Sequence, residues 1–219
     1  MTNNQKTYHL LVLDRSGSMS DCTVSTISAF NEQISFIQKL PLSFPNQKFL
    51  VSLVLFNHDI NELITCESPE TVRPLTSESY VPKGSTKLLD AIGRSVSQLN
   101  ENIGAEIYSG KATAIVSILT DGYENASVEY DYDGIRKMIA ELEKTGKWTF
   151  TFLGADINAI AESSRMGISE MNTRSFSKSD IKETFQEYNA AVRSYAEKKS
   201  RGERLTALFD NNEDEKDKS

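Results

Sequence analysis

Five oxygen-bearing side chains in three short segments define the chemistry open to this sequence. The first segment is Leu11-Val-Leu-Asp14-Arg-Ser16-Gly-Ser18, an apolar run that ends in an aspartate followed by serines at alternate positions. Gly17 lets such a loop turn tightly, so one carboxylate and two hydroxyls can face a common point; taken alone, the same residues also make an ordinary turn. The second segment is Leu119-Thr120-Asp121-Gly122, where another apolar run ends in another aspartate. The third is Gly84-Ser85-Thr86, with Gly84 for a turn and Thr86 at the mouth of a helix. Thr86 can serve there as an N-cap or turn its hydroxyl outward. Two carboxylates gathered at one place repel unless something positive lies between them. Carboxylate and hydroxyl oxygens suit a small hard cation, magnesium or manganese.

The elements that must position these residues follow from the apolar pattern. Residues 8–13, 49–56, 114–119 and 148–153 are short runs rich in Val, Ile, Leu and Phe, as in strands buried on both faces of a parallel sheet. Residues 63–66 follow the second run after a turn at Asn57-His58-Asp59 and fit an antiparallel edge strand; 171–176 fit a last strand. Between them, Val24, Ile27, Phe30, Ile34 and Ile37 fall at helical spacing. So do Leu88 to Leu99, Ile135 to Leu142 and Ile181 to Tyr195, and 157–161 fit a further short helix. Ser177 and Ser179 are candidate N-caps for the last long helix. The alternation predicts an α/β fold: a doubly wound, mostly parallel sheet with one antiparallel edge strand and helices on both faces. Ligands of such sheets bind beyond the carboxyl ends of the strands, where Asp14 and Asp121 stand.

With the fold in place, Asp14-x-Ser16-x-Ser18, Gly84-x-Thr86 and Thr120-Asp121-Gly122 together resemble the metal-ion-dependent adhesion site of von Willebrand factor type A domains. The resemblance covers about residues 7–195. Tyr123-Glu124-Asn125 and Gly154-Ala155-Asp156 are similar to bacterial or phage members. The resemblance implies that Ser16, Ser18 and Thr86 supply hydroxyl oxygens to Mg2+ or Mn2+, with Asp14 and Asp121 balancing its charge directly or through water. It also implies an open coordination position for an Asp or Glu of another protein. Two carboxylates leave a dication able to attract a third, which agrees with that role.

The expected function is therefore a metal-dependent protein-binding module and not an enzyme. The rivals are a magnesium-dependent phosphatase-like hydrolase and an assembly factor whose metal is only structural. A phosphatase of the haloacid dehalogenase type needs a second aspartate two residues after the first as general acid, and that place holds Ser16. No Gly-x-Gly-x-x-Gly follows the first strand, as a dinucleotide fold requires, and no Gly-x-Ser-x-Gly is present. Of the two histidines, His9 fits a satisfied core or edge position and His58 a solvated turn. A net charge of -7 disfavours nucleic acid as a partner. Cys22 and Cys66 match no zinc spacing and read as reduced thiols, with a single bridge as the alternative. No leader pattern opens the sequence and no run is long enough to span a membrane, so a cytoplasmic location is expected. Residues 1–197 are expected to form the domain and 198–219 a charged, disordered tail. Leu205, Leu208 and Phe209 make an apolar patch in that tail, expected to be a frayed helical turn, with docking on the domain or on a partner as the alternative.

Overall fold

The computed structural model describes residues 5–155, 157–203 and 207–209. Among them a six-stranded sheet forms the centre, in the order β3-β2-β1-β4-β5-β6. The strands are β1 (Gln5–Asp14), β2 (Gln47–Phe56), β3 (Ile60–Glu67), β4 (Ala112–Thr120), β5 (Trp148–Ala155) and β6 (Thr173–Phe176). β1, β2, β4, β5 and β6 pair in parallel, and β3 pairs antiparallel to β2 at the edge. The β2–β3 ladder is irregular, with register shifts on either side of Leu53. The helices are α1 (Thr23–Ser43), α2 (Leu88–Tyr108), α3 (Tyr132–Lys144), α4 (Ala159–Arg165) and α5 (Ile181–Ser200).

The central strands read as continuous apolar runs because both their faces are covered. Leu11 and Leu13 of β1 face one layer with Phe30, Ile34 and Ile37 of α1 and Tyr188 and Val192 of α5. Tyr8, Leu10 and Val12 face the other, with Ile92 and Val96 of α2 and Ile135 and Ile139 of α3. Val24 does not join the stripe of α1; it is 82% exposed. The buried stripe of α1 runs through Thr26, Phe30, Gln33 and Ile37. Val24 lies two residues from Thr26, about 200° round the helix. His9 is buried, but neither ring nitrogen finds a hydrogen-bond partner among the described residues. Burial lowers its pKa to about 3, so the ring stays neutral. Ser177 and Ser179 do not cap α5 directly: a 3-10 turn, Lys178–Asp180, intervenes, and both hydroxyls donate to Asp180. Cys22 and Cys66 are both free thiols.

Residues 198–203 and 207–209 differ from the solvated tail that the charges suggest. α5 runs past residue 197 to Ser200, and Lys199 is buried with its ammonium donating to the Lys6 carbonyl, Thr7 Oγ1 and Thr113 Oγ1 at 2.6, 2.8 and 2.8 Å. Three well-placed neutral acceptors let this cation leave water, against the pull of burial, which lowers its pKa to about 7. Leu208 and Phe209 are buried in the α1/α5 layer rather than frayed. The Leu208 N–H donates to Asn172 Oδ1 at 2.7 Å, Phe209 meets Tyr188 edge-on, and the Arg174 guanidinium lies 4.0 Å over the Phe209 ring. Leu205 and residues 210–219 lie outside the described residues, as does Asp156. Phe209→Ala should therefore cost about 3 kcal/mol of stability in urea unfolding, the usual loss for a buried phenylalanine. An unchanged midpoint would mean that the ring is not part of the core.

Candidate functional site

β1 and β4 are neighbours in register, Leu13 opposite Leu119. Asp14 and Asp121 therefore leave the sheet side by side. Asp14 is fully buried. Its Oδ1 accepts the Ser16 N–H and its Oδ2 the Thr120 hydroxyl, both at 2.6 Å. The first of these bonds bends the chain into the Gly17–Cys22 3-10 turn, which sets Ser16 and Ser18 facing each other with hydroxyls 3.1 Å apart. The Ser18 hydroxyl donates to Asp121 Oδ1 at 2.6 Å. Ser16 is buried while Ser18 is exposed, so the site opens on the Ser18 side.

Thr86 comes from the loop before α2. Gly84 has a φ of +74°, and a side chain there would collide with the His58 ring, so only glycine fits. The Gly84 carbonyl accepts the Gly17 N–H at 3.0 Å, which joins the first loop to the second. α2 begins at Leu88 with Lys87 in the capping position, so Thr86 is not its N-cap. Instead the Thr86 N–H donates to Asn125 Oδ1 at 2.9 Å and the Asn125 N–H returns to the Thr86 carbonyl at 3.2 Å. Glu124 accepts the N–H groups of Leu89, Ala126 and Ser127. Asp90 accepts those of Val128, Glu129 and Tyr130. These ties hold the loop after β4 against the start of α2.

The oxygens converge on the open space beside Gly122. A methyl group placed on Gly122 would lie 3.3 Å from Thr86 Oγ1, 3.6 Å from Ser18 Oγ and 3.9 Å from Asp14 Oδ2. The structure thus brings together all five residues expected from the sequence. An all-oxygen donor set around a space that a single carbon would fill fits a hard divalent cation. No three His, Cys, Asp or Glu side chains group as metal ligands among the described residues, so hydroxyls would have to complete such a site. Burial pushes the Asp14 carboxyl up to about 6; hydrogen bonds from Thr120 and Ser16 oppose this, and the Asp121 charge adds to it. A cation beside the pair reverses both unfavourable effects.

Four supporting residues escaped the sequence reading. Tyr80 donates its hydroxyl to the Asp14 carbonyl at 2.5 Å. Asn57 spans to the Lys83 carbonyl at 2.9 Å and accepts the Lys87 N–H on its own carbonyl. Asn125 orients Thr86, and only its place just after Asp121-Gly122 hinted at a role. Lys178 puts its ammonium 2.7 Å from Asp121 Oδ2, where the carboxylate holds it above the ordinary lysine pKa.

A family model described as von Willebrand factor type A domain matches residues 10–191. The chain belongs to the von Willebrand factor type A family. Among curated proteins, none matches it. Among solved structures, this type A domain is similar to proximal thread matrix protein 1 from the mussel byssus with a zinc-occupied MIDAS motif. The TM-score is 0.53 at 14% identity, covering 88% of this chain and 46% of that one. It is also similar to the pilus adhesin SpaC of Lactobacillus rhamnosus GG, with a TM-score of 0.66 at 11% identity, covering 87% and 30%. A von Willebrand factor type A protein of Catenulispora acidiphila matches with a TM-score of 0.53 at 13% identity, covering 86% and 43%. The chain spans less than half the length of each of these three. The cytoplasmic location expected from the sequence gains no support from neighbours of byssus and pilus. Among the described residues, no helix is long and apolar enough to cross a membrane.

Gly122 is not one of the glycines with a left-handed backbone, so alanine there adds a methyl group without backbone strain. Gly122→Ala should keep the fold by circular dichroism and lower manganese affinity about tenfold, or 1.4 kcal/mol, in titration calorimetry. Full affinity in this variant would place any metal elsewhere.

Proposed function

We propose that this domain is a protein-binding module that captures a partner's Asp or Glu through a divalent cation, Mg2+ or Mn2+, and that it is not an enzyme. The observation that carries this reading is the convergence of Thr86, Ser18 and Asp14 oxygens on the space beside Gly122, with Asp121 hydrogen-bonded to Ser18. Ser16, Ser18 and Thr86 would offer hydroxyl oxygens, and Asp14 and Asp121 would balance the charge. When bound, the cation supplies a Lewis-acidic point that attracts an anionic side chain. Only two carboxylates stand in the set, so an anionic partner is still favoured there.

The chain's own residues prepare the contact. Thr120 and the Ser16 N–H hold Asp14 in one orientation, and Asn125 fixes the Thr86 backbone. Tyr123 stands beside the site, half exposed, with its hydroxyl accepting the Asn158 N–H at 3.3 Å. Half-exposed tyrosines of this kind are common binding anchors. Binding without catalysis is favoured by the position of the histidines. His9 is buried within β1, and His58 lies over Gly84 beside Asp59. A reducing, cytoplasmic setting belongs to this proposal, on the strength of the two free thiols.

Magnesium at about a hundred times its dissociation constant should stabilise the protein by about 2.7 kcal/mol. Asp14→Ala and Asp121→Ala should abolish that gain while keeping the fold. A partner retained on the immobilised domain in magnesium should elute with chelator and bind Thr86→Ala at least tenfold more weakly. Undiminished metal binding by both aspartate variants would sink the metal reading. A partner that stays bound through chelation would show that another surface is used.

A further inference from the structure

The contact that the metal reading does not account for is Lys178. This residue opens the 3-10 turn Lys178–Asp180 between β6 and α5, far in sequence from every other site residue. Its ammonium lies 2.7 Å from Asp121 Oδ2 and donates to the Ser18 carbonyl at 2.8 Å. It therefore clips together the loops after β1 and after β4, the two that carry the carboxylates. The Asp121 side chain is fully buried, whereas Lys178 retains 21% exposure. The lysine arm thus has a route to water that the aspartate lacks.

We propose that Lys178 is a built-in cation of the metal-free site, and that it must leave Asp121 when a divalent ion enters. This rests on the metal reading proposed above. Asp14 and Asp121 carry two negative charges, and the lysine neutralises one of them. A dication held by the same carboxylates would meet the ammonium at close range, and two cations sharing one carboxylate repel. The flexible lysine is the group able to move. Its departure opens one face of Asp121 and releases the 178–180 turn from the Ser18 carbonyl.

The turn leads straight into α5, whose Lys182 pairs with Glu32 of α1 at 3.5 Å. The site would also be tuned: the lysine competes with weakly bound ions and holds the two loops in place when none is present.

Lys178→Met keeps the length of the side chain and removes its charge. Titration calorimetry with manganese should show affinity raised by about tenfold over wild type. In chelator, the same substitution should lower the melting temperature more in the wild-type background than in the Asp121→Asn background, where the ion pair is already broken and only the bond to the Ser18 carbonyl is lost. Affinity that is equal or lower in Lys178→Met, with wild type binding normally, overturns the competition while the metal site stands. Equal losses of melting temperature in the two backgrounds overturn the contact itself. Absence of metal binding in both proteins overturns the metal reading and this inference together.

Discussion

Two like charges set the terms for one end of this molecule. The parallel pairing of β1 and β4 delivers Asp14 and Asp121 to the same edge, with both side chains buried. Neither position is comfortable for an anion. The neighbouring donors are consequences of that fact: the Thr120 hydroxyl, the Ser16 N–H and the Ser18 hydroxyl each face a carboxylate oxygen. What these neutral donors cannot supply is positive charge, and Lys178 supplies one unit of it. The site is thus built around an electrostatic debt whose partial settlement is internal and whose fuller settlement, on the function proposed above, is a divalent ion.

Precision at the site comes from hydrogen bonds between loops as well as within them. Gly17 is tied to Gly84, Arg15 to Phe56, Asn57 to Lys83 and Lys87, and Thr86 to Asn125. Buried Asp90 gathers three consecutive N–H groups of the loop after β4. Each tie pairs a backbone group of one loop with an atom of another, so distortion of one loop is resisted by the next. Oxygens carried by three separate segments thus face one point.

The sheet and the meeting of Asp14 and Asp121 at its edge were legible in the sequence because both follow from local rules, while Ser16, Ser18 and Thr86 were set beside them by the family resemblance. Strands buried on both faces leave unbroken apolar runs, and Asp14 and Asp121 stand at the ends of two such runs. Residues whose role depends on distant backbone left no such mark. Asn57 and Tyr80 look like turn and loop residues, and Lys178 like one more surface charge, until the fold places them. The chain end misled for a related reason. Glu197-Lys198-Lys199 has the composition of a solvated run, yet Lys199 finds three oxygens at the rim of β1 and β4. Charge composition reports the average cost of burial and not the presence of acceptors.

Residues 207–209 have a further consequence for how copies of the domain meet one another. An open sheet exposes unpaired backbone at both margins, which invites strands of other molecules to add. At one margin the β2–β3 ladder is irregular around Leu53, and β3 exposes Glu62, Thr65 and Glu67 to solvent. At the other, β6 is only four residues long, and Leu208 and Phe209 lie against Asn172 and Arg174 beside it. A crowded solution of this protein therefore offers few long, flat margins for strand-by-strand polymerisation, and residues 207–209 pack beside the shorter of the two.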